Sequence, residues 1–115
     1  MTFGILFDQR EIVLVPLPFS NLSTTKQRPV LILSKNVDNA QSDDIITCGI
    51  TSNLKESKHS VIIEQKDLES GYLPSASRIK IDKLFTLEKS IVIKRMGKLN
   101  KSSFEDVKRE FFKLL

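Results

Sequence analysis

Tryptophan is absent from this chain of 115 residues, and cysteine, histidine and tyrosine occur once each. A lone Cys48 excludes an intrachain disulfide and suits a reducing compartment. Its neighbours Ile46, Thr47, Gly49 and Ile50 read as a buried, inert thiol. With His59 the only histidine, no Cys or His pair stands at metal-ligand spacing. A Ser-His-Asp arrangement would have to recruit His59 from the charged loop Lys55-Glu56-Ser57-Lys58-His59, where a solvated surface role fits better. The four glycines (Gly4, Gly49, Gly71 and Gly97) are scattered, which excludes a phosphate-cradling glycine loop. No apolar run is long enough to span a bilayer, and Met1 to Phe7 lacks the basic start and cleavage site of a signal peptide. These absences point to a cytoplasmic protein with no metal or cofactor and no membrane partner.

What is present is ordinary in amount and informative in order. Hydrophobic residues make up 40% and charged residues 28%, as expected of one globular domain over residues 1–115. The net charge of +4 suits a polyanionic partner without demanding one. Glu11 to Leu17 is rich in β-branched residues and closed by Pro16 and Pro18, which predicts a first strand. Ser20 to Gln27 is polar and reads as a long loop. It runs into Arg28-Pro29-Val30-Leu31-Ile32-Leu33-Ser34, whose continuous apolar run predicts a strand buried on both faces. Pro29 lacks a ladder N–H and belongs at the start of that strand, which places Arg28 where loop meets core.

Further strands are predicted over Asp44 to Ser52, Ser60 to Glu64, Ser75 to Leu84 and Ile91 to Lys98. Polar connections separate them at Lys35 to Asp43 and Asn53 to His59, with a helical turn around Lys66 to Glu69 and a turn over Thr86 to Ser90. Within Ser75 to Leu84, alternation puts Ile79 and Ile81 on one face and Arg78, Lys80 and Asp82 on the other. The carboxyl end changes period: Phe104, Val107, Phe111, Leu114 and Leu115 share one side of a helix. Ser102 with Glu105 fits a capping box at its start. The fold expected is mainly β with a C-terminal helix, a small antiparallel curled sheet or barrel whose edges favour a homodimer.

The polar residues near strand ends are the candidates for chemistry: Arg28, Thr51 with Ser52, and Arg78, Lys80 and Asp82. Taken singly, each has an ordinary structural reading. Arg28 reads as a surface arginine, Thr51 and Ser52 as strand-end residues bonded to the next loop, and the charges on the fifth strand as a solvated face. Phe19 reads as core or as a stacking platform.

Their combination is more specific. Pro16-Leu17-Pro18-Phe19, Arg28-Pro29, Ile50-Thr51-Ser52, Ser77-Arg78-Ile79 and Gly97-Lys98-Leu99 follow one another in an order that resembles the MazF/PemK family of toxins. The resemblance covers Glu11 to Leu115. It implies an SH3-like small barrel that dimerises and an endoribonuclease that cuts single-stranded RNA without a metal. It also implies a cognate antitoxin, here expected to be acidic, that covers the same groove. Carried onto this chain, the family pattern makes Arg28 and Thr51 the catalytic pair, with Asp82 as a third catalytic residue by likeness to PemK. Phe19, Lys26, Ser52, Ser77, Arg78 and Lys80 become the candidates for holding RNA. The chain departs from the family at Arg10-Glu11, where Gly-Asp is usual, and at Lys80, where PemK-like members carry arginine.

The residue types suit attack of a 2′-hydroxyl on the adjacent phosphorus. Arg28 offers a planar, permanent cation to the charge that builds on the phosphoryl oxygens, and Thr51 a hydrogen bond that fixes one of them. Asp82 is suited to accept the 2′-hydroxyl proton, and Glu11 to orient Arg28. Two other readings keep the fold and change the activity. One is a CcdB-like toxin that acts by binding gyrase through its carboxyl end; the other is a homologue that binds RNA or antitoxin without cutting.

Overall fold

The computed structural model describes residues 6–18 and 25–115. Seven strands form a single antiparallel sheet: β1 (Glu11–Pro18), β2 (Thr25–Ile32), β3 (Asp44–Thr51), β4 (Ser60–Ile63), β5 (Leu68–Gly71), β6 (Ser77–Glu88) and β7 (Lys94–Leu99). They lie side by side in the order β4-β6-β3-β2-β1-β7-β5. Among the described residues there are also two α-helices, α1 (Asn36–Gln41) and α2 (Lys101–Lys113). The mainly β fold with a C-terminal helix is the one expected, with the sheet curled into a half-barrel.

The central strands are buried on both faces, which explains their unbroken apolar runs. Val30 and Ile32 of β2 join Val13, Val15, Phe7 and Ile45 in one core, while Leu31 turns the other way into a second. That second core contains Ile12, Cys48, Ile50, Ile79 and Ile81, and α2 closes it with Phe104 and Val107. Truncating Leu31, which has no exposed surface, costs about 2–5 kcal/mol by the usual cavity argument.

Several expected boundaries move. β2 begins at Thr25, so Lys26 and Gln27 are strand residues opposite Leu17 and Pro16 rather than part of a loop. The polar connection after β2 contains α1, and a short edge strand, β5, follows the 3₁₀ turn Gln65–Asp67. β6 continues to Glu88 through the turn expected at Thr86, and Lys89–Ile91 is a 3₁₀ turn ahead of β7. The cap of α2 is Asn100 rather than Ser102: its side chain accepts from the Ser103 amide at 2.7 Å. Glu105 pairs with Lys108 instead of closing a capping box. The late Gly97-Lys98-Leu99 stretch has a steric cause. A Cβ on Gly97 would lie 2.7 Å from the Ser70 carbonyl oxygen, so only glycine lets β5 approach β7 there.

One irregularity sets the shape of the cleft. β6 pairs with β3 in two stretches, Leu84 opposite Cys48 and Lys80 opposite Gly49, so Ile81, Asp82 and Lys83 form a bulge between them. β4 pairs only with the first stretch, Ser77 to Lys80.

Candidate nucleic-acid cleft

Strand register brings the candidates together. Val30 of β2 faces Gly49 of β3, and Gly49 faces Lys80 of β6. Because side chains alternate, Arg28 shares the face of Val30, while Thr51 and Lys80 share the face of Gly49. These residues line one open cleft of about 320 Å³. Leu17, Pro29, Ile50 and Phe85 supply its apolar wall, and Arg28, Lys80 and Lys83 its cations.

Thr51 is half-buried, and its Oγ1 accepts a hydrogen bond from the Asn53 amide at 3.1 Å. That bond uses one lone pair of the oxygen and leaves the hydroxyl hydrogen to donate to a ligand. Thr51 and Lys80 also border a second, more polar hollow of about 370 Å³, whose other residues include Asn53, Lys55, Glu56, Ser57 and Arg78. The two hollows therefore meet at Thr51 and Lys80, forming a groove that is apolar on one side and polar on the other.

The remaining candidates fall in different places. Arg78 is buried and works as a brace: its Nη1 donates to Ser60 Oγ at 2.7 Å and its Nη2 to the Leu54 carbonyl at 3.1 Å. It pins the loop between β3 and β4 beside the groove. Its Nε is buried without a partner among the described residues. Ser77 is buried and donates to the Ser75 carbonyl at 3.1 Å, away from the cleft wall. Ser52 and Lys26 are exposed. Phe19 lies outside the described residues.

Asp82 is exposed on the bulge and is not on the wall of either hollow. The alternation expected along β6 holds from Arg78 to Ile81, and then the bulge intervenes. Lys83, which sequence reasoning missed, lines the cleft instead. Asp82 does act on Cys48, whose thiol is pushed up to about 12, first by burial and then by the Asp82 charge. The thiol therefore stays protonated and unreactive near neutral pH.

The Arg10-Glu11 pair belongs to another part of the sheet. Arg10 holds a left-handed backbone, with φ 80°, at the position where family members carry glycine. Its Nη1 bonds to Glu69 Oε1 at 2.6 Å and to the Leu99 carbonyl at 2.7 Å. That hydrogen bond holds the Glu69 carboxyl below its ordinary range. Glu11 is buried, accepts from the Asp8 amide at 2.7 Å and pairs with Arg95 Nε at 2.7 Å. Its carboxylate is thus committed to Arg95. His59 also takes a left-handed backbone, with φ 51°, and is half-buried rather than fully solvated. Among the described residues no group of three or more His, Cys, Asp or Glu could hold a metal ion. Among the described residues no helix is long and apolar enough to cross a membrane.

The fold is shared with solved toxins. An endoribonuclease in complex with its cognate antitoxin from a Mycobacterial species superposes with a TM-score of 0.76 at 16% identity, covering 92% of this chain and 91% of that one. MazE-MazF from Deinococcus radiodurans gives 0.76 at 18% identity, with 96% of each chain covered. The Mycobacterium tuberculosis toxin MazF-mt6 gives 0.72 at 20% identity, covering 90% of this chain and 94% of that one. No curated protein matches the sequence. The sequence of residues 8–115 itself matches a defined family: the chain belongs to the PemK-like, MazF-like toxins of type II toxin–antitoxin systems.

Proposed function

We propose that this toxin is a metal-independent endoribonuclease that cuts single-stranded mRNA at short sequences and so arrests translation and growth. The observation that carries the reading is the meeting of Arg28, Thr51 and Lys80 in one open cleft beside a polar hollow. In this reading a phosphodiester lies at the seam of the two hollows, with Arg28 and Lys80 on its non-bridging oxygens and the Thr51 hydroxyl donating to one of them. The 2′-oxygen attacks phosphorus, its proton passes to a base, and the P–O5′ bond breaks. The products are a 2′,3′-cyclic phosphate and a 5′-hydroxyl end, which takes up a proton. Arg28 stabilises the charge that grows on the phosphoryl oxygens, a role suited to its fixed fork. Asp82, on the bulge next to the cleft, takes the 2′-proton. An unstacked strand is needed for in-line attack and for reading base edges, which gives the preference for single strands.

The same reading assigns the chain a cognate acidic antitoxin, a homodimeric state and a cytoplasmic setting. The antitoxin complex among its structural neighbours supports the first. The gyrase-binding alternative rests on the carboxyl end, where Phe112 and Leu115 are exposed while Phe111 and Leu114 pack on the core. Growth arrest that spares RNA and blocks supercoiling would favour it.

The test is incubation of folded protein with a long unstructured RNA in excess EDTA, followed by mapping of the ends. Site-selective cuts with 5′-hydroxyl ends are expected. Intact RNA after long incubation contradicts the proposal.

A further inference from the structure

The bulge in β6 turns toward the cleft a lysine that neither the strand periodicity nor the family pattern singles out. Lys83 lines the cleft with Arg28 and Lys80. Gly49 lies beside it: a Cβ there would meet Lys83 Cβ at 3.5 Å and Phe85 Cε2 at 3.6 Å, ordinary van der Waals contact.

The electrostatics of the wall ask for a ligand. Several cations outside the cleft pair with acids: Arg10 with Glu69, Arg95 with Glu11, Lys98 with Asp8 and Lys108 with Glu105. Lys80 and Lys83 join no ion pair among the described residues, and no carboxylate lines the cleft there. Residues 1–5 and 19–24 contain no Asp or Glu that could supply one. Like charges gathered on one wall repel unless an anion lies between them.

We propose that Lys83 is a third phosphate-binding cation of the cleft, brought there by the β6 bulge. The proposal rests on the RNA-cleaving reading and adds a contact to it. Lys83 acts as a point charge on a phosphate oxygen and holds the strand in register. It reads no base and takes no proton.

The salt dependence of RNA binding tests this, because a merely structural lysine would leave it unchanged. The probe is a 2′-O-methyl oligoribonucleotide spanning a mapped cleavage site, which binds but cannot be cut. Binding is measured from low to moderate salt for wild type, Lys83→Gln, Lys83→Arg and the distant control Lys101→Gln. Losing one phosphate contact should weaken binding roughly 3- to 10-fold at low salt and reduce the log–log salt slope by about 0.7. Lys83→Arg should restore both, and Lys101→Gln should match wild type. A Lys83→Gln protein with wild-type affinity and slope overturns the proposal while leaving the nuclease reading intact. A wild-type protein that neither binds nor cuts RNA overturns both.

Discussion

Arg95 and Arg28 stand on the two strands that flank β1, opposite Val13 and Val15, and therefore on the same face of the sheet. Arg95 is held from several sides. Its guanidinium lies 4.8 Å from the centre of the Phe7 ring, pairs with the buried Glu11 and donates to the Leu6 carbonyl. Arg28 instead lines an open cleft whose described walls carry lysines and no carboxylate. Both are arginines beside the same apolar core. What differs is the surroundings: Arg95 pairs with a buried acid, while the cleft that Arg28 lines carries Lys80 and Lys83 on its wall. The first pattern ties β7 to β1, and the second is the one proposed to receive a phosphate.

Substitutions can break that comparison from either side. The largest effect is expected of Arg28→Ala, which should lower RNA cleavage about 10³-fold or more through loss of transition-state charge stabilisation, with thermal stability nearly unchanged. Asp82→Asn should cost about 10²–10³-fold in cleavage. Cleavage at the wild-type rate would take the base role away from Asp82. At the paired end, Glu11→Ala should leave cleavage per folded molecule unchanged. It should destabilise the fold by about 1–3 kcal/mol in denaturant titration, because Arg95 and the Asp8 amide both lose their partner.

The smallest effect belongs to Arg10→Gly, since relief of the left-handed backbone opposes loss of the bond to Glu69. Its Tm shift should be smaller than that of Glu11→Ala, and its signature lies in acid. Glu69 is held below its ordinary pKa by Arg10, so this stabilisation is complete above the ordinary carboxylate range. It fades as pH falls through the lowered value. In Arg10→Gly that part of the acid sensitivity should vanish, and an unchanged stability–pH curve would show the contact to be inert.

Part of the cleft was legible in the sequence because alternation along one strand is local, whereas register between strands is not. Thr51 marked the end of a strand and alternation set Lys80 against Ile79 and Ile81, but Pro29 does not open β2, which begins four residues earlier at Thr25. The β6 bulge was not legible, because nothing between Arg78 and Glu88 marks it: the run contains neither glycine nor proline. It shows only once the register of β6 against β3 is known. Lys83 was missed for that reason. The same competition decided the start of α2. Ser102 and Asn100 both have capping side chains, and Ser103 donating to Asp67 at 2.8 Å fixes the turn so that Asn100 caps. Arg10 escaped for the opposite reason. The sequence shows a lost glycine, and only the structure shows arginine accepting its backbone.

The contrast between the two arginines can be measured in one assay, the RNA cleavage rate of Arg28→Ala beside Arg95→Ala at equal folded concentration in EDTA. Arg28→Ala should fall by about 10³-fold or more while Arg95→Ala, though less stable, cuts at the wild-type rate. Equal losses in the two variants, or full activity in Arg28→Ala, would contradict the proposed site.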